Sequence, residues 1–334
     1  MKIAIVGATG AVGRMMIEVL EEYGLAIDTL VLFASSRSAG TVLMYKGKPL
    51  IVQELRTDSF QSEHFDIALF SAGGSISEAY APLAAQAKTL VIDNSSTFRQ
   101  DLDKALVVPE INFQAIASAR NYIIANPNCS TIQSVLAIKP LLETYKVERV
   151  DYAPYQAVSG AGHKGIDDLL RGEKGEPPLN FPYPIVHNVI PQIDQPLDNL
   201  YTKEEMKMVW ETQKILGLEH LPVSATCVRV PVLNSHSIDI RLEFDRPVDR
   251  EEVIALYEKA EGVRCIDDIK NLIYPMPIEA NGHDQVLVGR IRVDVFNPKI
   301  LHVFCVGDNL RKGAAANAVQ IADRLIKADF IGKW

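Results

Sequence analysis

Lys2-Ile3-Ala4-Ile5-Val6-Gly7-Ala8-Thr9-Gly10-Ala11-Val12-Gly13 is an apolar run of strand length that ends in a turn with a glycine every third residue. Apolar residues then recur at helical spacing through Tyr23, so the order is strand, glycine turn, amphipathic helix. Gly7 and Gly10 let the backbone approach a pyrophosphate resting on the helix N-terminus, and Gly13 permits tight packing of helix on strand. The spacing GxxGxxG departs from the GxGxxG fingerprint, and glycine turns also arise for steric reasons alone. The strand before and the helix after favour a dinucleotide-binding turn, with Gly7, Thr9, Gly10, Ala11 and Val12 as cofactor-binding candidates.

The second apolar run, Thr29 to Ala34, is followed by Ser35-Ser36-Arg37-Ser38. A carboxylate there would pair with the ribose 2′-hydroxyl of NAD, whereas an arginine flanked by hydroxyls suits a 2′-phosphate. Ser36, Arg37 and Ser38 therefore point to NADP, although a solvated loop also favours these residue types. Phe65 to Ser71 and Thr89 to Asp93 read as buried strands with a helical stretch, Ile76 to Ala87, between them. This α/β alternation predicts an N-terminal Rossmann-type doubly wound sheet running to about Ala125. Longer strands follow, Val147 to Val158, Ser224 to Val232 and Ser237 to Phe244, and predict a second α+β domain. The run Lys312 to Lys327 has apolar residues at helical spacing and is expected to pack back on the first domain. The expected domains are 1–126, completed by a helix at 310–334, and 127–309. Gly172 to Pro184, rich in Gly and Pro, reads as a loop within the second domain.

A chain of 334 residues exceeds one ordinary core, in keeping with two domains. Four cysteines without a CxxC pair argue for free thiols in a reducing compartment and against a metal site. A net charge of −8 without a long basic run disfavours nucleic acid or an anionic membrane as partner and favours a small molecule. The apolar run Ile3 to Val12 is interrupted by Gly7, Thr9 and Gly10 and is too short to span a bilayer, so a cytoplasmic protein is expected. Asn94-Ser95-Ser96 matches a glycosylation acceptor that has no consequence without secretion.

Asn126-Pro127-Asn128-Cys129-Ser130-Thr131 ends a strand-like run, Asn121 to Ala125, with a cysteine where a helix begins. Val135, Ile138 and Leu142 follow at helical spacing, so Cys129 sits at a helix N-terminus, where unpaired N–H groups stabilise a thiolate. Cys227, Cys265 and Cys305 lie in or beside apolar, strand-like sequence and read as small buried hydrophobes. A thiol nucleophile calls for an acid–base group near neutral pH, for which imidazole is suited. Among seven histidines, His163, His187 and His236 all stay open on residue type alone.

Nine separated motifs together carry a family resemblance: GATGAVG (7–13), SSRSAG (35–40), DNSSTFR (93–99), VVPEIN (107–112), NPNCST (126–131), YQAVSGAG (155–162), EEMKM (204–208), CVRVPV (227–232) and GDNLRKGAA (307–315). Along essentially its whole length the chain resembles the aspartate-β-semialdehyde dehydrogenases. The resemblance implies reversible conversion of L-aspartate-4-semialdehyde, phosphate and NADP to 4-phospho-L-aspartate and NADPH through a Cys129 thioester. It places the reaction in the routes to lysine or diaminopimelate, threonine and methionine. It also implies His236 as the general acid–base, Gln156 as a residue orienting the reacting group, and Arg229 as the fork on the substrate carboxylate. Glu204 would receive the substrate ammonium; Arg99, Lys207 and Asn128 would hold phosphate; Ser159, Gly160 and Asn309 would meet the nicotinamide. A homodimer or a tetramer of dimers, formed through the second domain, is implied as well.

Glu204 and Lys207 stand three apart on a helix predicted to open at Thr202, with Glu205 at the capping-box position. On residue type alone they form a surface ion pair worth about 0.3–0.5 kcal/mol. An N-acetyl-γ-glutamyl-phosphate reductase would share the fold and the thioester but show a different cysteine motif and an acyl pocket in place of Glu204. A glyceraldehyde-3-phosphate dehydrogenase fits the Cys129 and SSRSAG segments poorly. A non-catalytic NADP-binding paralogue is expected to lose Cys129, Gln156, Arg229 or His236, and all four are present.

Overall fold

The computed structural model describes residues 1–118 and 121–330. The chain divides into two compact units, Met1–Pro127 with Ala314–Trp334, and Asn128–Gly313. Residues 310–313 stay with the second unit, so this boundary lies later than the sequence reading placed it. Residues 331–334 of the expected C-terminal helix lie outside the described residues.

In the first unit seven parallel strands run in the order Gln53–Glu54, Thr29–Ala34, Lys2–Val6, Ile67–Phe70, Leu90–Asp93, Ile123–Ala125, Ala105–Leu106. Ile3 pairs with Leu30 on one side and Ile67 on the other. A strand inside a parallel sheet is covered on both faces, and Ile3 to Val6 are fully buried, which explains why the run carries no polar alternation. From Lys2–Val6 the chain steps to one neighbouring strand and then to the other. The order therefore reverses beside Val6, at the crevice where doubly wound sheets take their ligands.

The glycine turn occupies that point and leads into the helix Ala11–Glu22. Gly7 has φ +87, and its N–H and that of Ala8 donate to Phe33 O at 2.8 and 3.1 Å. A Cβ on Gly13 would stand 2.2 Å from Gly7 O, so helix and turn touch only because Gly13 has no side chain. Gly13→Ala is expected to cost about 1–3 kcal/mol through overpacking and to weaken dinucleotide binding at least about tenfold. Thermal unfolding and a dinucleotide titration check this, and unchanged values in both would remove the packing role.

The helix Ala316–Lys327 belongs to this unit through Gln320, which donates to Tyr23 Oη (2.8 Å), and Arg324, which donates to Pro109 O (2.6 Å). It was expected from Lys312. The segment instead starts with a π-helical turn, Arg311–Ala315, in which Gly313 N donates to Asp308 O.

The second unit is built on a mixed sheet with the order Val223–Ala225, Val147–Gln156, His236–Phe244, Ile300–Gly307, Val286–Val293, Val263–Cys265. Ser224 to Val232, expected as one strand, is two, Val223–Ala225 and Val228–Arg229. The ladder breaks because Cys227 N donates to Glu205 Oε1 (3.0 Å), and Pro231 beyond has no N–H to offer. The helices Cys129–Ile138 and Lys203–Leu216 pack on this unit. The stretch from Gly172 to Pro184 is a loop beyond the helix His163–Gly172. Asp168, almost fully buried, fixes it by accepting from Leu179 N, Asn180 N and Phe181 N at 2.6–2.8 Å. Among the described residues no helix is long and apolar enough to cross a membrane, and no group of three or more His, Cys, Asp or Glu could hold a metal ion.

Candidate active site

Cys129 is the first residue of its helix. Asn128 caps it: Oδ1 accepts from Ser130 N (3.0 Å) and Thr131 N (3.2 Å), so two of the orphan donors are met by a side chain. Asn128 is itself held, its N–H donating to Glu211 Oε2 (2.6 Å) and its Nδ2 to Glu204 Oε1 (2.9 Å). A Cβ on Gly313 would stand 2.8 Å from Cys129 Cβ, so the nucleophile candidate fits only against a glycine. Burial pushes the Cys227 thiol far up, that of Cys265 to about 11 and that of Cys305 to about 12, which keeps all three protonated. Cys129 is the cysteine of the four set at a helix N-terminus.

Lys203–Leu216 opens as its sequence indicates. Thr202 Oγ1 accepts from Glu205 N (3.2 Å), and Thr202 N donates to Glu205 Oε2 (2.7 Å). Glu204 is not on the surface: it is 6% exposed and accepts from Asn128 Nδ2, Gln156 Nε2 (3.1 Å) and Lys207 Nζ (3.0 Å). Gln156 Nε2 also donates to Ser130 Oγ (2.8 Å), and Lys207 Nζ to Asp194 Oδ2 (2.9 Å). The surface-pair reading of Glu204 and Lys207 is thus replaced by a buried network that joins the cysteine helix, the strand Val147–Gln156 and the Glu204 helix.

The network sets charge states. Burial by itself would raise the Glu204 carboxyl, yet Lys207 and the amides of Asn128 and Gln156 hold it at about 2. Burial likewise disfavours the Lys207 ammonium, but Glu204 and Asp194 hold it above its ordinary value. A carboxyl held below its ordinary 4.5 contributes stability in full above that pH and loses it as pH falls toward 2. Glu204→Gln is therefore expected to flatten the fall in unfolding temperature below about pH 4.5, removing up to roughly 3 kcal/mol of acid sensitivity. Melting curves across that range test it; parallel acid slopes for both proteins would contradict it.

Arg229 is 6% exposed, and among the described residues its one hydrogen bond is from Nη1 to Ala157 O (2.7 Å). Among the described residues no carboxylate lies within ion-pairing distance of it, an unusual state for a buried guanidinium. Burial lowers its pKa, with Glu204 and Cys129 acting in the opposite sense. His236 is fully buried; Nδ1 accepts from Ala157 N (3.0 Å), and Nε2 has no hydrogen-bond partner among the described residues. Burial first, then Arg229, bring His236 down to about 3, so the ring is neutral. A Cβ on Gly160 would stand 2.8 Å from Arg229 Nη1 and 3.2 Å from His236 Nε2. A side chain at position 160 would therefore press on both of these groups, whatever else binds there. Ser159 and Asn309 meet each other, Asn309 Nδ2 donating to Ser159 Oγ (2.9 Å), while Asn309 Oδ1 accepts from Ser235 N (2.8 Å).

The remaining sequence-derived candidates belong to the first unit. Ser36–Ser38 form a 3-10 turn after Thr29–Ala34, the strand whose Phe33 O also receives the glycine turn. Gly10 caps the helix without a side chain, so the first turn of N–H groups is not closed off by a cap, and Gly7 and Gly13 hold the cradle open. These features fit a dinucleotide. Arg99, also buried, donates from Nη2 to Asn94 O (2.9 Å) on a loop anchored by the buried Asp93, which accepts from Ser77 Oγ (2.5 Å) and Ser95 Oγ (2.6 Å).

Sequence reasoning missed Glu211, Gln133, Asp194, Ser235 and Gly313. Gln133 donates from Nε2 to His236 O (3.0 Å). Two of the five had a readable signal, Gln133 four residues after Cys129 and Glu211 seven after Glu204, each on one helix face with a residue already singled out.

Two family models match the chain: "Semialdehyde dehydrogenase, NAD binding domain" over residues 2–119 and "Semialdehyde dehydrogenase, dimerisation domain" over residues 138–312. An aspartate-semialdehyde dehydrogenase of Campylobacter jejuni is 48% identical, with 98% of this chain and 97% of that protein aligned. The crystal structure of aspartate semialdehyde dehydrogenase II complexed with ASA from Vibrio cholerae is similar with a TM-score of 0.93 at 47% identity, over 98% of both chains. The enzyme from Candida albicans, solved with NADP, has a TM-score of 0.78 at 26% identity over 99% of both. With its glycine turn, capped cysteine and buried Arg229 and His236, the chain belongs to the aspartate-semialdehyde dehydrogenase family.

Proposed function

We propose that this chain carries out the reversible, phosphorylating oxidation of L-aspartate-4-semialdehyde to 4-phospho-L-aspartate with NADP, through a thioester on Cys129. The observation that supports this most is Arg229, a buried guanidinium with a single backbone acceptor among the described residues. A substrate carboxylate supplies the partner that a buried cation requires. In the oxidative direction the Cys129 thiolate forms the C–S bond to the aldehyde carbon. Loss of hydride leaves a thioester, a phosphate oxygen adds to the acyl carbon, and the thiolate departs. When bound, NADP supplies the two-electron oxidant for the hydride step.

The residues divide the work. Arg229 forks onto the α-carboxylate, Glu204 receives the ammonium, and Gln156, tied to Ser130 and Glu204, orients the acyl group. Lys207, Asn128 and Arg99 receive phosphate, with Lys207 exchanging one of its two carboxylate partners for the anion. His236 serves the reacting carbonyl oxygen. Gly7, Thr9, Gly10, Ala11 and Val12 hold the pyrophosphate; Ser36, Arg37 and Ser38 hold the 2′-phosphate; Ser159, Gly160 and Asn309 contact the nicotinamide. The NADP bound to the Candida albicans enzyme and the absence of a carboxylate from Ser35 to Ser38 support the cofactor. The match to a dimerisation domain supports a homodimer, and the Vibrio cholerae complex with ASA supports the substrate. Flow toward the aldehyde would serve lysine or diaminopimelate, threonine and methionine formation.

The test is reduction of NADP by purified protein with L-aspartate-4-semialdehyde, with and without phosphate, beside NAD and N-acetylglutamate semialdehyde. Steady turnover that needs phosphate and prefers NADP and the aspartyl aldehyde is expected. Turnover with the acetylated aldehyde alone would overturn the substrate, and phosphate-independent turnover would overturn the acyl-phosphate product.

A further inference from the structure

Given the phosphorylating reaction just described, on which the inference rests, we propose that Asp194 competes internally with phosphate for Lys207. Its carboxylate occupies the ammonium in the free protein and leaves it when the anion arrives. Lys207 Nζ donates to Glu204 Oε2 (3.0 Å) and to Asp194 Oδ2 (2.9 Å), so one cation carries two carboxylates. The two carboxylates and the ammonium sum to a single negative charge. A cluster of that sign repels an oxyanion, and it becomes neutral only when one carboxylate withdraws.

The surroundings decide which carboxylate that is. Glu204 is buried and also accepts from Asn128 Nδ2 (2.9 Å) and Gln156 Nε2 (3.1 Å), so moving it would strip two buried amides of an acceptor. The Asp194 side chain is 34% exposed, and its other hydrogen bond among the described residues is local, Oδ1 accepting from Gln195 N (2.8 Å). Water replaces Lys207 on such a carboxylate at small cost. The backbone around Asp194 is held at its ends and not between them. Ile190 and Arg229 exchange N–H to O bonds at 3.0 and 2.9 Å, and Gln195 O accepts from Lys203 N (2.9 Å). Among the described residues, 191–194 make no backbone–backbone hydrogen bond, and Pro191 has no N–H to give. Ile193 is buried, which confines the movement to Asp194 itself. Asp194 has φ +69, in the left-handed region that aspartate tolerates better than most side chains. Its withdrawal therefore breaks one ion pair and no backbone ladder. Lys207 stays in place, because Glu204 keeps its bond and the helix Lys203–Leu216 holds the stem.

The competition has a consequence in each direction of the reaction. In the oxidative direction it raises the phosphate concentration needed to fill the site. In the direction that forms the aldehyde, phosphate must leave, and the Asp194 carboxylate returning to Lys207 displaces it. Asp194 thus lowers phosphate affinity and speeds phosphate release, and it takes no part in the bond changes at the acyl carbon.

The experiment compares wild type with Asp194→Asn, which keeps the shape and removes the charge, and Asp194→Ala, which removes the contact. The phosphate KM is expected to fall about three- to thirtyfold in both, the range for one partly screened charge. The KM for the aldehyde and the phosphate-free burst of NADPH should stay within about twofold. Inhibition by added phosphate in the aldehyde-forming direction should tighten in step with the KM. A residue that merely braces Lys207 for the anion gives the opposite sign, a phosphate KM that rises when the brace is removed. An unchanged or higher phosphate KM in either variant would overturn the proposal. Titration calorimetry with inorganic phosphate alone, on protein without substrate or dinucleotide, reads the same affinity without turnover. Tighter binding in both variants is expected, and binding that is no tighter than wild type would overturn the competition. Wild-type turnover with the aspartyl aldehyde, with and without phosphate, reports separately on the reaction. Its failure beside tighter phosphate binding in the variants would remove the reaction and leave the competition standing.

Discussion

Cys129→Ala is expected to lower phosphate-dependent turnover by at least about 10⁴-fold, the scale on which enzymes lose rate when a covalent nucleophile is deleted. NADP affinity should stay within about threefold, because Cys129 is not among the dinucleotide candidates, Gly7 to Val12 and Ser36 to Ser38 in the first unit and Ser159, Gly160 and Asn309 in the second. Stability should also hold: the side chain is partly exposed, and the cap on its helix comes from Asn128. Cys129→Ser keeps the shape and lowers thiolate chemistry to that of an alcohol, so it should be almost as inactive. Cys227→Ser makes the useful contrast. That thiol is fully buried and pushed far up in pKa, so its replacement should cost stability and leave the chemistry in place. Retained turnover in Cys129→Ala would remove the thioester from the mechanism.

Arg229→Lys is expected to reduce kcat/KM for the aldehyde by about 10²–10³-fold, chiefly through KM, since an ammonium cannot reproduce the planar fork on a carboxylate. Arg229→Met should lose more. The same residue makes an opposite prediction for stability. A buried guanidinium that has one backbone acceptor and no ion-paired carboxylate among the described residues bears its desolvation largely uncompensated in the free protein. Arg229→Met should therefore unfold at a temperature no lower than wild type, the pattern of a site that trades stability for binding. A large drop in unfolding temperature with KM unchanged would make Arg229 a structural residue.

What was legible in the sequence was local. The strand Lys2–Val6, the glycine turn and the helix after it follow from spacing, and the side-chain-free approach at Gly13 is visible in the pattern itself. Thr202 boxed with Glu205 is a contact across three residues, so residue type and spacing suffice to read it, and the Asn128 cap on the Cys129 helix, which the sequence reading did not name, follows the same local rule. Asp249 caps Arg250–Lys259 by the same local rule, accepting from Glu251 N and Glu252 N, and that signal was available. The burial of Glu204 was not legible. It depends on Gln156 and Asn128, distant in sequence, and the isolated Glu204–Lys207 spacing looks the same on a surface helix. The break of Ser224 to Val232 into two strands depends on Glu205 taking Cys227 N. The hydrogen bond from Ala157 N to His236 Nδ1 was not legible either, because backbone N–H direction leaves no trace in residue identity. The choice of His236 over His163 and His187 came from the motif resemblance; the structure then shows His236 fully buried and sharing Ala157 and Gly160 with Arg229.

The thioester on Cys129 is tested most directly by a single turnover without phosphate. Enzyme, NADP and L-aspartate-4-semialdehyde are mixed, NADPH is followed by absorbance, and the protein is quenched in acid for peptide mass analysis. The account predicts a burst of NADPH stoichiometric with enzyme, an aspartyl adduct on the Cys129 peptide, and its disappearance on adding phosphate. Steady NADPH formation without phosphate, or a burst that leaves Cys129 unmodified, would contradict it.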